Sequence, residues 1–248
     1  MLLSDAQRGS PLPEPTDMST TIEELDFRQT VLGELILSRR RLRSPRDSWV
    51  YEIDLDGRFL MSSTVRFSEE ALAEQTLRLL DGEDWRVLVG GLGLGYTAAA
   101  ALAFPEVDTL DVVEFLPEVI AWYERDLVPM AATLADDPRC RIFQGDCFQW
   151  LRCDGYADYD AVLIDIDNGP DDLLSDEHGS FYTSVGLHGA RRCLRPGGML
   201  GIWTSRPTDT RLLKRLRRAF RRAAVEEIEF YNPFLDLYEV NAIYLARA

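Results

Sequence analysis

A chain of 248 residues with 46% hydrophobic side chains fits one α/β domain with a small added element, and it is apolar enough to build a sizeable core. Its net charge of −15 repels nucleic acid and anionic lipid and attracts cations. No apolar run approaches the ~20 residues of a membrane helix, and Met1-Leu2-Leu3-Ser4-Asp5 lacks the basic segment and apolar core of a secretory signal, so a cytoplasmic protein is expected. The cysteines Cys140, Cys147, Cys153 and Cys193 match no zinc spacing. They read as small buried residues in a reducing compartment, with no metal.

Residues 1–20, with Ser10-Pro11-Leu12-Pro13-Glu14-Pro15, read as a loose tail. Residues 21–64 read as a small antiparallel unit. Val50–Leu55 alternates, Asp56-Gly57 supplies a tight turn and Arg58–Met61 returns, with a further strand around Leu32–Leu42. Residues 65–248 form the main domain. A helix begins at Ser68-Glu69-Glu70, a cap followed by an acidic first turn, and runs to about Leu80. There follow a strand Trp85–Val89, a glycine loop, a helix to Ala103, a strand Thr109–Glu114, a helix Pro117–Leu127, a strand Arg141–Gln144, a short helix Phe148–Leu151 and a strand Tyr159–Asp165. A long acidic loop, a helix ending near Leu194, a strand Met199–Thr204 and a basic helix over 211–222 come next. The last two strands are Glu226–Tyr231 and Val240–Ala246. Strands separated by helices imply a doubly wound, mostly parallel sheet, here with an antiparallel C-terminal edge. The basic helix carries seven of the 27 basic residues. Its Leu212, Leu213, Leu216, Ala219 and Phe220 fall at helical spacing, so the basic side reads as a solvated outer face in preference to an RNA contact.

Four features carry chemistry. Gly91-Leu92-Gly93-Leu94-Gly95 lies between a strand and a helix, where Gly91, Gly93 and Gly95 let the backbone turn sharply and a ligand approach. The spacing differs from the dinucleotide pattern and points to a nucleoside without pyrophosphate. Glu114 ends the next strand, where a carboxylate accepts ribose hydroxyls. Gly145-Asp146-Cys147 ends the third strand, where Asp146 meets the exocyclic amine of adenine or caps the following helix. Asp165 follows the apolar run Val162-Leu163-Ile164, with Asp167 two residues on. Were the strand to continue, both carboxylates would face one crevice. Such crevices, at the carboxyl ends of strands, are where open α/β sheets bind ligands.

Residues 50–205 resemble the spermidine synthase family, the polyamine aminopropyltransferases, which have a Rossmann-like methyltransferase fold. The matching pieces, in order, are Leu55-Asp56-Gly57, the glycine loop after Val87-Leu88-Val89, Glu114 with Val119-Ile120, Asp137-Pro138-Arg139, Gly145-Asp146, Tyr159-Asp160-Ala161-Val162 with Asp165, Phe181-Tyr182, and Leu194-Arg195-Pro196-Gly197-Gly198. The resemblance implies that Glu114 holds the ribose, Asp146 holds the adenine and Asp165 deprotonates the attacking amine. It also marks departures. The family's glycine loop carries an aspartate for the aminopropyl ammonium, and the aligned position is Leu94. The family's Asp-x-x-Asp-Pro motif reads Asp165-Ile166-Asp167-Asn168-Gly169-Pro170, and Ser68–Gln75 lacks a substrate-binding tyrosine.

The expected function is aminopropyl transfer from decarboxylated S-adenosylmethionine to a polyamine or other amine. Methyl transfer from S-adenosylmethionine, and non-catalytic nucleoside binding, are the alternatives. Protonated amines must lose a proton before attacking, so a carboxylate base is needed. Asp165 is the expected base and Asp167 a substrate-binding residue, with further carboxylates of the acidic loop aligning the amine. Gly91, Gly93, Gly95, Glu114, Asp146 and Cys147 are expected to hold the donor. The expected partner is a small cationic amine, with no nucleic acid and no membrane, and a homodimer is left open.

Overall fold

The computed structural model describes residues 22–42, 48–152, 159–232 and 236–248. The expected loose tail and Cys153 lie outside them. The first four strands, β1 (Ile22–Thr30), β2 (Gly33–Leu42), β3 (Ser48–Leu55) and β4 (Arg58–Ser62), form an antiparallel sheet in chain order. β1 is an element the sequence reading did not resolve: its outward residues are mostly charged, and its apolar positions are too sparse to alternate. At the β3–β4 turn Asp56 and Gly57 have φ of 50° and 72°. That is the pair of left-handed residues a two-residue hairpin of matching twist requires.

The second sheet begins after helix α1 (Phe67–Leu77). It contains β5 (Trp85–Gly90), β6 (Val107–Glu114), β7 (Cys140–Gln144), β8 (Tyr159–Ile164), β9 (Leu194–Thr204), β10 (Arg222–Asn232) and β11 (Leu237–Arg247). Their order is β10-β11-β9-β8-β5-β6-β7. The five strands from β9 to β7 are parallel, and β11 and β10 add antiparallel edges. This is the Rossmann-like architecture expected. Helices α2 (Tyr96–Leu102), α3 (Pro117–Glu124), α4 (Ala131–Asp136), α5 (Cys147–Trp150), α6 (Ser184–Arg192) and α7 (Thr210–Ala219) fill the connections.

Both faces of this sheet are buried, as parallel strands require. Val87, Val89, Leu110, Val112, Ala161 and Leu163 pack on one side with α1, α2, α3 and the inner face of the small sheet. Leu88, Val113, Val162, Ile164, Leu200 and Ile202 pack on the other with α5, α6 and α7. Successive residues of one strand thus serve opposite cores. Each fully buried aliphatic side chain contributes about 1.5–3 kcal/mol.

α1 starts one residue before the expected cap, and no side chain caps it. The basic helix is shorter than expected. It ends at Ala219, Phe220 is extended, and Arg222 opens β10. Its Leu212, Leu213 and Leu216 are buried, while Arg215 donates to the Tyr182 carbonyl and Arg217 to the Ala223 carbonyl. Among the described residues, no helix is long and apolar enough to cross a membrane.

One side chain ties the α2–β6 turn to β7. Arg139 donates to the carbonyls of Leu102, Phe104 and Val107 at 2.7–3.1 Å and pairs with Asp137 at 2.7 Å. Charge-assisted bonds of this kind are worth about 1.5–3 kcal/mol each, less where water can replace them. Arg139→Ala is expected to destabilise the chain by about 2 kcal/mol, measured as a lowered urea midpoint at unchanged slope.

Candidate active site

The strand order reverses between β5 and β8: the chain runs outward through β6 and β7, then returns to β8 on the other side of β5. The carboxyl ends of β5, β6, β7 and β8 open there into one cavity. The small sheet closes the cavity with an apolar wall of Leu35, Ile53, Leu55, Leu60 and Met61.

The glycine loop joins β5 to α2. Gly91 has a φ of 92°, and a Cβ on it would meet the Asp165 carbonyl oxygen at 2.1 Å. Loop and β8 end are therefore packed backbone to backbone, which no other residue type permits. Gly93 and Gly95 also line the cavity. Leu94 does not: it is fully buried in the core. The expectation that Leu94 stands at the donor is thus corrected. Consecutive loop residues cannot all face the ligand, and here Leu92 and Gly93 face it while Leu94 packs inward.

Glu114 is buried at the end of β6, with Oε2 accepting from the Leu92 amide at 2.9 Å and Oε1 from the Leu116 amide at 2.8 Å. Burial raises its pKa, and these backbone bonds oppose the rise. Glu114 also lines the cavity, where its carboxylate can meet a ligand hydroxyl. Asp146 caps α5, its Oδ1 accepting from the Phe148 and Gln149 amides at 2.8 and 3.1 Å. It also lines the cavity, so capping and ligand binding are not exclusive. Cys147 is buried beside it, its thiol pKa pushed up by burial.

β8 ends at Ile164, so the expected shared face of Asp165 and Asp167 does not form. Asp165 lines the cavity, with Oδ2 2.6 Å from the Thr97 hydroxyl. Asp167 turns behind the wall. His178 Nδ1 and the Leu174 amide reach its Oδ1 at 2.8 and 2.9 Å, and Tyr182 reaches Oδ2 at 3.2 Å. Its carboxylate is consumed in holding His178, which itself lines the cavity. The acidic loop does not supply the other expected carboxylates either. Asp172 pairs with Arg58 and Arg206, Asp171 pairs with Arg211, and Asp176 and Glu177 are exposed.

A further carboxylate on the cavity wall is Glu69 of α1. From the sequence alone Glu69 reads as part of an ordinary acidic first turn. A signal existed: Glu69, Leu72, Ala73 and Thr76 are spaced as one helix face, and all four are buried.

No family model matches the chain. It is 27% identical over 143 residues to putrescine N-methyltransferase 1 of Nicotiana tabacum, covering 55% of this chain and 36% of that protein. It is 27% identical over 175 residues to the polyamine aminopropyltransferase of Prochlorococcus marinus (strain MIT 9312), covering 67% of this chain and 59% of that protein. A spermidine synthase solved in complex with the transition state analogue AdoDATO superposes with a TM-score of 0.72 at 17% identity, over 90% of this chain and 73% of that one. The chain has the spermidine synthase fold. The likeness read from the motifs is thereby shown. The chain spans 36% and 59% of the lengths of these two relatives.

Because Leu94 lies in the core, Leu94→Asp is expected to destabilise the fold by about 3 kcal/mol or more, the cost of an unpaired buried charge. Thermal unfolding with and without donor checks this: the drop should appear equally in both.

Proposed function

We propose that the chain transfers an aminopropyl group from decarboxylated S-adenosylmethionine to an amine. The observation that supports this best is the gathering of carboxylates in a single apolar-walled cavity: Glu114 and Asp146 after β6 and β7, Asp165 and Glu69 after β8 and on α1. The first pair suits the hydroxyls and exocyclic amine of a nucleoside. The second suits cations, and both the sulfonium donor and the protonated acceptor are cationic. Apolar residues Leu92, Phe115, Val119 and Phe148 offer contact to a base between them.

In this reading Asp165 is the base. Burial pushes its pKa up to about 6, and the Thr97 hydroxyl partly opposes the rise. It is therefore largely ionised at neutral pH and strong enough to take a proton from an ammonium that the sulfonium's field has made more acidic. The freed amine nitrogen forms a bond to the propyl carbon next to sulfur, the carbon–sulfur bond breaks, and its electron pair leaves on the thioether. The amine proton stays on Asp165 until solvent removes it. Asp167, through His178, positions the wall beside the reacting groups.

Methyl transfer to an amine is the second reading. It is favoured by the glycine loop, which carries no carboxylate for a propylammonium and buries Leu94 in the core. Incubation of the chain and a diamine with each donor, followed by mass analysis of the product, separates added aminopropyl from added methyl.

Asp165→Asn is expected to lower kcat by about 10²–10⁴-fold with donor affinity unchanged. Wild-type activity should rise with pH through about 6 as Asp165 ionises, and the variant should regain part of its rate at high pH, where free amine needs no base. Glu114→Gln is expected to weaken donor binding by about 1.5–3 kcal/mol without unfolding the chain, read by calorimetry.

A further inference from the structure

Glu69 stands in the first turn of α1, 6% exposed, with its side chain on the cavity wall. Its Oε2 accepts from the Ser68 hydroxyl at 2.8 Å, and Ser68 in turn accepts from Asn241 Nδ2 of β11 at 2.8 Å. Ser68 and Asn241 are themselves buried. On the other side, the buried Thr97 hydroxyl lies 2.6 Å from Asp165 Oδ2 and 3.3 Å from the Glu69 carbonyl oxygen. Two neutral hydrogen-bond chains thus fix two carboxylates on one wall. Arg66, just before α1, is engaged elsewhere: it bonds Glu70 at 2.8 Å and lies over the Tyr96 ring. Among the described ion pairs, no lysine or arginine reaches Glu69 or Asp165.

Two carboxylates lining one cavity, Glu69 buried and Asp165 half-buried, cannot both stay ionised cheaply without a cation between them, so such a pair keeps a proton. Burial, with the Asp165 charge added, pushes Glu69 up to about 8. Near neutral pH the pair therefore holds one proton between them. The other charged or titratable groups around the pair are Arg66 just before α1, Glu70 on α1 and Tyr96 on α2, with Glu114, Asp146, Cys147 and His178 elsewhere on the cavity. β11 contributes the neutral Asn241.

We propose that Glu69 and Asp165 form a carboxylate pair sharing one proton, which seats the ammonium group of the acceptor and expels that proton as the cation enters. This rests on the reading of the acceptor as an amine. The balance is simple. An ammonium and a monoanionic pair become an ammonium held by two carboxylates, and one proton goes to solvent; no covalent bond between heavy atoms changes. The seat then discriminates by charge. A cation recovers the cost of ionising Glu69, whereas a neutral alcohol of the same length does not. Asp165 afterwards takes the amine proton while Glu69 holds the charge beside it.

The test is calorimetric titration of 1,4-diaminobutane, with 1,4-butanediol as control, near pH 7 in two buffers of different ionisation heat. The wild type should release about one proton on diamine binding, and the diol should not bind. Glu69→Gln, which keeps the size and the Ser68 contact, should release none and bind the diamine about tenfold more weakly or worse. Equal affinity and equal proton release in Glu69→Gln would overturn the pair while leaving the amine reading intact. A diamine that fails to bind the wild type would overturn the amine reading, and the seat with it. The wild type alone gives a second measurement, whatever the variant's folding: release should fall toward zero above about pH 9, where the pair is already ionised. Release that is constant with pH would overturn the proposal.

A carboxyl whose pKa is raised on folding stabilises fully below its ordinary value of 4.5, and that contribution fades as pH rises through about 8. Glu69→Gln should therefore flatten the fall in wild-type melting temperature between these pH values.

Discussion

Burial of the central sheet on both faces is the constraint from which the rest of the site follows. Five parallel strands lie between two apolar layers, one shared with the small sheet and one built on α5, α6 and α7. Side chains pointing up or down from these strands meet hydrocarbon, so unpaired polar groups find room where the strands stop. The reversal of strand order at β5 and β8 leaves a gap between the connections that follow them. Glu114, Asp146 and Asp165 stand at that gap because β6, β7 and β8 end there. The glycine loop lies across it, because only a residue without a side chain tolerates the approach of the Asp165 carbonyl to Gly91.

Asp111 shows what a carboxylate needs when it serves structure alone. It is fully buried within β6, and Arg141 and Arg86 hold it at 2.6 and 3.0 Å, with Tyr159 at 3.2 Å. Two cations answer its charge. Glu69, buried, and Asp165, half-buried, line a common cavity, and among the described residues their side-chain partners are the Ser68 and Thr97 hydroxyls. A protein that keeps uncompensated carboxylates inside loses stability by it, as their raised proton affinities record. Strongly perturbed groups of this kind gather at functional sites because a ligand supplies the missing charge.

The acids of the loop after β8 divide along the same line. Those that find arginines are part of the scaffold: Asp172 joins the loop to the β3–β4 hairpin through Arg58 and to the segment after β9 through Arg206. Exposed pairs such as these contribute little to stability, but they hold the loop against the small sheet that closes the cavity. Asp167 works one step further in, fixing His178 and the Leu174 amide. The cavity wall is thus assembled from distant stretches of chain, with Glu69 coming from α1 and Asp165 from the end of β8.

The order of strands and helices, the glycine loop and the strand-end residues Glu114, Asp146 and Asp165 were legible in the sequence. Each is set by local chemistry: an apolar run that stops, a glycine where the chain must turn, a carboxylate at the stop. β1 and α4 were missed because their apolar spacing is weak and they take their place from neighbours. The roles of Leu94, Asp167 and Glu69 could not be read the same way. Leu94 and Gly93 are adjacent, and only the loop's packed conformation decides which faces the ligand. Asp167 looked like a second site carboxylate until the strand proved to end at Ile164, which turned its side chain toward Tyr182 and His178. Glu69 looked like a solvated first-turn acid, and it became part of the cavity only when α1 packed across β8 and β11, bringing it to Asp165 from nearly 100 residues away in the chain. Sequence determined which residues could carry charge and where strands would end. Tertiary packing decided which of those charges would be neutralised by a neighbour and which would be left facing an empty space, because pairing depends on distances that no local pattern encodes.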